Sequence, residues 1–184
     1  MALMRNAARR KKTRFYVSII AKHYTNTRIK FRFQFQYQTM PLVEKSALVA
    51  FSTAQMFALV DDVERYPEFL PWCSGSRLLA RDALTTAATI EISYHGIHQS
   101  FSTANTKQGN ESMQIALTEG PFKALEGEWQ FVALGNVGCK VSLRLDYAFS
   151  NAVLETAVGP VFGVIANTMI ERFVERADVL YGDT

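Results

Sequence analysis

The sequence predicts an α+β domain in which a curved antiparallel sheet is covered by one long C-terminal helix. Three observations lead there. Apolar and polar residues alternate over successive segments between residues 76 and 149, most clearly where Val141, Leu143, Leu145, Tyr147 and Phe149 share one face and Ser142, Arg144, Asp146 and Ala148 the other. Period two with one wet face marks an antiparallel sheet. From about Asn151 to Tyr181 the spacing turns helical through Leu154, Val158, Val161, Phe162, Ile165, Met169, Phe173, Ala177 and Leu180. Between the strands stand turn signals at Gly96, Gly120-Pro121, Gly135-Asn136 and Gly138.

In chain order, Leu42–Val49 reads as a first strand. Ser52-Thr53-Ala54-Gln55 then matches a capping box, with Ser52 as N-cap and Gln55 three residues on. Met56, Phe57 and Val60 give that helix an apolar stripe. The stretch VERYPEFLPW (residues 63–72) follows, and its two prolines predict a stiff, non-helical corner rich in apolar side chains. Strands are expected over residues 76–80, around TIEISY (residues 89–94), over 99–106, through Met113, Ile115 and Leu117, around Trp129 and Phe131, and over 141–149. In the closing helix no charge falls between Glu155 and Glu171, so its first half should be the more enclosed. Gly159-Pro160 inside it should bend the axis and leave room beneath. Neither this uncharged stretch nor any other apolar run is expected to span a bilayer.

Charge divides the chain. Residues 1–39 carry ten Lys or Arg and no acid; the remainder has the other ten of the 20 basic residues against all 17 acids, a balance of −7. A 40–184 domain with a separate basic extension follows. The extension fits a start placed too early, with Met40-Pro41 as the true beginning, or an organellar presequence, or a basic arm for nucleic acid. Two cysteines, Cys73 and Cys139, make no disulfide framework and suit a reducing compartment.

Catalytic signals are missing. His95 and His98 flank Gly96 without a cysteine or carboxylate cluster beside them, so no metal site is expected. Asp61, Asp62 and Glu64 should face solvent after the helix, as should Glu91 and Arg144 on the wet face of the sheet. No nucleophile elbow, phosphate loop or dinucleotide fingerprint occurs, and no enzyme activity is expected. The covered face should instead carry Phe101, Trp129, Phe131 and Tyr147, with Phe162 and Met169 facing them from the helix: either a packed core or the lining of an apolar cavity.

The order of strand, short helix, Pro-rich corner, run of strands and long helix is the helix-grip layout. DVERYPEFLPWCSGSRLL (residues 62–79), EGPFKALEGEWQF (119–131) and VGPVFGVIANTMIERFVERA (158–177) resemble the START-like coenzyme Q-binding and polyketide cyclase/dehydrase-type proteins, most closely their bacterial ribosome-association toxins. The resemblance runs from Met40 to about Tyr181. It implies a hydrophobic tunnel between sheet and last helix that holds ubiquinone or a similar isoprenoid lipid in support of respiration, with no cofactor required. In that picture Phe69, Leu70 and Trp72 form a rigid apolar lip at the mouth. The runner-up that it implies is a toxin that binds the large ribosomal subunit and blocks subunit association. An acidic domain matches RNA phosphates poorly, so such binding would need local basic patches such as Arg77, Arg81, Lys107 or Lys123, or contacts to ribosomal proteins. A cyclase or dehydratase is the third possibility. A cytoplasmic bacterial location, with peripheral contact at the inner membrane, goes with either of the first two; a mitochondrial one goes with the presequence.

Overall fold

The computed structural model describes residues 41–182. The basic extension, with the three readings attached to it, lies outside the described residues. Seven strands form one antiparallel sheet in the order β1-β7-β6-β5-β4-β3-β2. They are β1 (Leu42–Val49), β2 (Cys73–Arg81), β3 (Thr85–Tyr94), β4 (Ile97–Gln108), β5 (Ser112–Glu119), β6 (Phe122–Ala133) and β7 (Cys139–Phe149). Strands β2 to β7 meander, each pairing with the next, and β1 closes the far edge by pairing with β7. The alternation read from the sequence is the alternation of the faces: along β7, Val141, Leu143, Leu145, Tyr147 and Phe149 are all buried.

Helix α1 (Thr53–Asp61) starts on the expected capping box. Gln55 N donates to Ser52 Oγ at 3.2 Å, and Ser52 N donates to Gln55 Oε1 at 2.9 Å. The corner corrects the sequence reading. Residues Val63–Arg65 form a 3-10 turn, and Tyr66–Phe69 form a single helical turn, α2, closed by Leu70 N donating to Tyr66 O at 2.9 Å. Pro67 sits in the first turn of α2, where a missing N–H leaves no bond unmade. Pro71 does act as a stop, since Leu70 before it is extended at φ −97°, ψ 103°.

Helix α3 (Ala152–Tyr181) begins with Leu154 N donating to Asn151 Oδ1 at 3.0 Å and runs unbroken through Pro160. It lies chiefly against β1 and β7, burying Val158, Phe162, Ile165, Ala166, Ile170, Phe173 and Ala177. Its first half is less enclosed than its uncharged sequence suggested. Val153, Ala157, Pro160 and Val164 follow one helical stripe facing away from the sheet, with Val153 78% and Val164 50% exposed. Apolarity on both sides of this half also makes α3 long and apolar enough, by length and composition alone, to cross a membrane, contrary to the sequence reading. Within the apolar stretch, 28% of the residues are buried inside the fold.

Candidate functional site

The concave side of the sheet, under α3 and the corner, brings the expected apolar residues into two aromatic groups rather than one lining. Phe162 of α3 meets Tyr147 at 4.7 Å, Phe122 at 4.8 Å and Phe101 at 6.4 Å between ring centroids. Phe173, 1% exposed, collects the second group: Phe69 at 5.1 Å, Trp129 at 5.2 Å and Tyr66 at 5.4 Å, with Phe131 stacked beyond Trp129 at 6.3 Å. Leu70 and Trp72 point inward and are 1% and 4% exposed. Phe69 and Met169 stay half-buried against the core. Phe122, Tyr66 and Phe173 are the aromatic partners that the sequence reading left out of the group, although Phe173 lay on the helical stripe.

Coverage is uneven. Register places Thr86, Asn105 and Ile115 side by side, and next to them Ala88, Thr103 and Leu117, all on the concave face of β3, β4 and β5. Ile115, Leu117 and Phe101 remain half-buried there, because α3 packs over β1 and β7 at the other side of the sheet. An apolar surface on β4 and β5 thus stays partly open beside the helix.

At one end of this surface lies a polar network that the sequence did not announce. Asp61, the last residue of α1, was expected in solvent; its side chain is instead 18% exposed. Lys107 Nζ donates to Asp61 Oδ2 at 3.1 Å, and Thr86 Oγ1 donates to Oδ1 at 2.5 Å. Arg81 Nη2 donates to the Asp61 carbonyl at 2.6 Å and to Glu64 Oε2 at 2.6 Å. That guanidinium holds the Glu64 carboxyl below its usual range. Burial pushes the Tyr66 phenol far up, and its hydroxyl donates to Val60 O at 2.6 Å. Lys107 and Arg81 are therefore committed to carboxylates and are not the free basic patches envisaged for RNA; Lys107 is 7% exposed. Arg77 is exposed, as are Glu91 and Arg144. Among the described residues no three His, Cys, Asp or Glu side chains stand together as a metal site.

Comparison with known proteins adds the following. A family model described as polyketide cyclase/dehydrase and lipid transport matches residues 49–174. The chain is 44% identical over 144 residues to the ribosome association toxin RatA of Vibrio cholerae, spanning 78% of this chain and 100% of that protein. It is 24% identical over 143 residues to coenzyme Q-binding protein COQ10 homolog B of Xenopus laevis, spanning 75% of this chain and 58% of the relative. Among solved structures, a START superfamily protein from Mycobacterium smegmatis superposes with a TM-score of 0.64 at 23% identity, covering 76% of this chain and 98% of that one. The Zhui aromatase/cyclase from Streptomyces sp. R1128 gives 0.64 at 15% identity over 78% and 98%. At such identities the likeness is one of fold, the helix-grip fold, and enzymes and binding proteins share it.

Proposed function

The chain belongs to the polyketide cyclase/dehydrase and lipid transport family, and from that premise we propose that it associates with the ribosome, binding the large subunit and hindering its union with the small one. One observation carries this reading: 44% identity extends over the entire length of a relative named for ribosome association, whereas the coenzyme Q-binding relative is matched at 24% over 58% of its length. A ribosomal partner also puts the protein in the cytoplasm. The contact surface has to differ from the one the sequence suggested, since Arg81 and Lys107 are engaged internally. Sedimentation of the full chain with purified subunits tests the reading. Comigration with the large subunit, and fewer joined ribosomes on a gradient as the protein is added, is the expected result. A chain that stays at the top of the gradient with both subunits sinks it.

A second reading has its own support. Half-buried Phe101, Ile115, Leu117 and Met169 on and over the concave face suit an apolar ligand, ubiquinone among the isoprenoid candidates. Mass spectrometry of organic extracts from the protein made in a quinone-producing host would show the quinone; an empty extract after added quinone counts against it.

A further inference from the structure

The concave face carries polar atoms that the protein itself does not satisfy. Asn105 is 8% exposed, and its side-chain Oδ1 is buried with no hydrogen-bond partner. On the same face, Ser76 of β2, opposite Ile90, has an equally buried and unpartnered Oγ, and the indole Nε1 of Trp72 is a third such atom. Each orphaned buried group costs about 1–3 kcal/mol, so native proteins keep few of them and fill the rest with water or ligand. Asn105 also has a donor-bearing side chain on its own strand. Lys107 lies two residues on along β4, hence on the same face. Of its three ammonium protons one is engaged, by Asp61. Asp61 is fixed in turn by Thr86 and Arg81, so the ammonium has a set position from which two donors remain. Beside Asn105 across the register stands half-buried Ile115, and beyond it Leu117, the open apolar surface.

We infer that Asn105 and Lys107 form a head-group site for an apolar molecule that ends in a hydroxyl, a phenol or hydroquinone ring being the chemical class. One hydroxyl meets both needs: its proton goes to Asn105 Oδ1, and its oxygen accepts from Lys107 Nζ. The apolar body then covers Ile115 and Leu117. A ketone or ether would accept from Lys107 and still leave the Asn105 carbonyl unpaired. This assignment rests on the second reading above, that the concave face takes an apolar ligand.

The test uses the full chain and two probes of matched shape, 2-naphthol and 2-methylnaphthalene, titrated against tryptophan fluorescence. Wild type should bind the naphthol at least about tenfold more tightly, because a site that hydrogen-bonds a hydroxyl discriminates against the analogue lacking it. Asn105→Leu should bring the two affinities within about twofold while still binding the methyl compound. It should also melt no lower than about wild type, since it removes an unpaired polar group. Equal affinities in wild type, or a preference that survives in Asn105→Leu, overturn the assignment and leave the orphaned carbonyl to water. Failure of both probes to bind overturns the assignment together with the apolar-ligand reading. Lys107→Met gives an independent check: it should weaken the naphthol selectively, and loss of both probes alike would contradict the head-group role.

Discussion

Asp61 sits at the centre of the buried polar cluster, taking the Lys107 ammonium on one oxygen and the Thr86 hydroxyl on the other. Removing one partner of a buried pair strands the other, at a cost of about 3–5 kcal/mol. Asp61→Ala should fall in that range by urea denaturation, because Lys107 at 6% side-chain exposure loses its partner. Lys107→Met should cost clearly less, since Asp61 keeps Thr86 and has the Arg81 guanidinium 3.6 Å away. The reverse ranking would show that Arg81, not Asp61, organises the network. This cluster was invisible in the sequence because its members lie far apart, Asp61 and Lys107 being separated by 46 positions; two adjacent acids after a helix look like solvated ones. Cys73 carries a different expectation. Burial pushes its thiol up to about 11, and Cys139, 0% exposed, is raised by the same cause. Thiolate is the reactive form, so iodoacetamide at pH 8 should leave both unlabelled until the protein is unfolded. Rapid labelling of Cys73 in the native protein would mean that the corner opens.

At the scale of elements, what the sequence made legible was whatever a period encodes. Seven segments read as strands became seven strands, and the capping box at Ser52 and the helical stripe of α3 appeared where their residues stood. Two features escaped. Pro67 and Pro71 looked like equivalent breakers, yet only position decides: in a first turn a proline is tolerated, after a last turn it stops the helix. The apolar half of α3 looked enclosed because composition cannot say which sides face protein; Val153 and Val164 show that one side does not. Turns offer a sharper test of local reading. Gly135 and Gly138 lie in the same hairpin connection, with φ of +60° and +146°. A Cβ on Gly135 would meet open space, whereas on Gly138 it would sit 1.9 Å from the Val49 carbonyl oxygen. Gly135→Ala should therefore cost about 1 kcal/mol, the left-handed penalty alone. Gly138→Ala should cost at least about 3 kcal/mol, because strain in a region only glycine visits adds to a backbone collision. Equal melting temperatures for the two variants would refute that distinction.

For the whole molecule, the proposed association with a ribosome, whose surface is largely phosphate, would fall to a domain with a balance of −7 over residues 40–184. Of its ten basic residues, Arg65, Arg81, Lys107, Arg144, Arg172 and Arg176 are paired with carboxylates. Few cations are left to displace counterions from RNA. Among the described residues, apolar surfaces suited to a partner are the outward α3 stripe from Val153 to Val164 and the exposed Leu48 on edge strand β1. Association through such surfaces should depend weakly on salt. Each phosphate contact adds about 0.9 to the slope of log affinity against log salt on duplex nucleic acid. A chain beginning at Met40, using one or two contacts, should thus lose only about tenfold in ribosome affinity between 50 and 200 mM salt. The full chain, with ten further basic residues upstream, should lose more if those residues take part and the same if they do not. A loss of about a thousandfold by the shorter chain corresponds to six or more phosphate contacts. That result would require the carboxylate pairs to open on binding, with the arginines handed from Glu64, Glu68 and Glu175 to RNA.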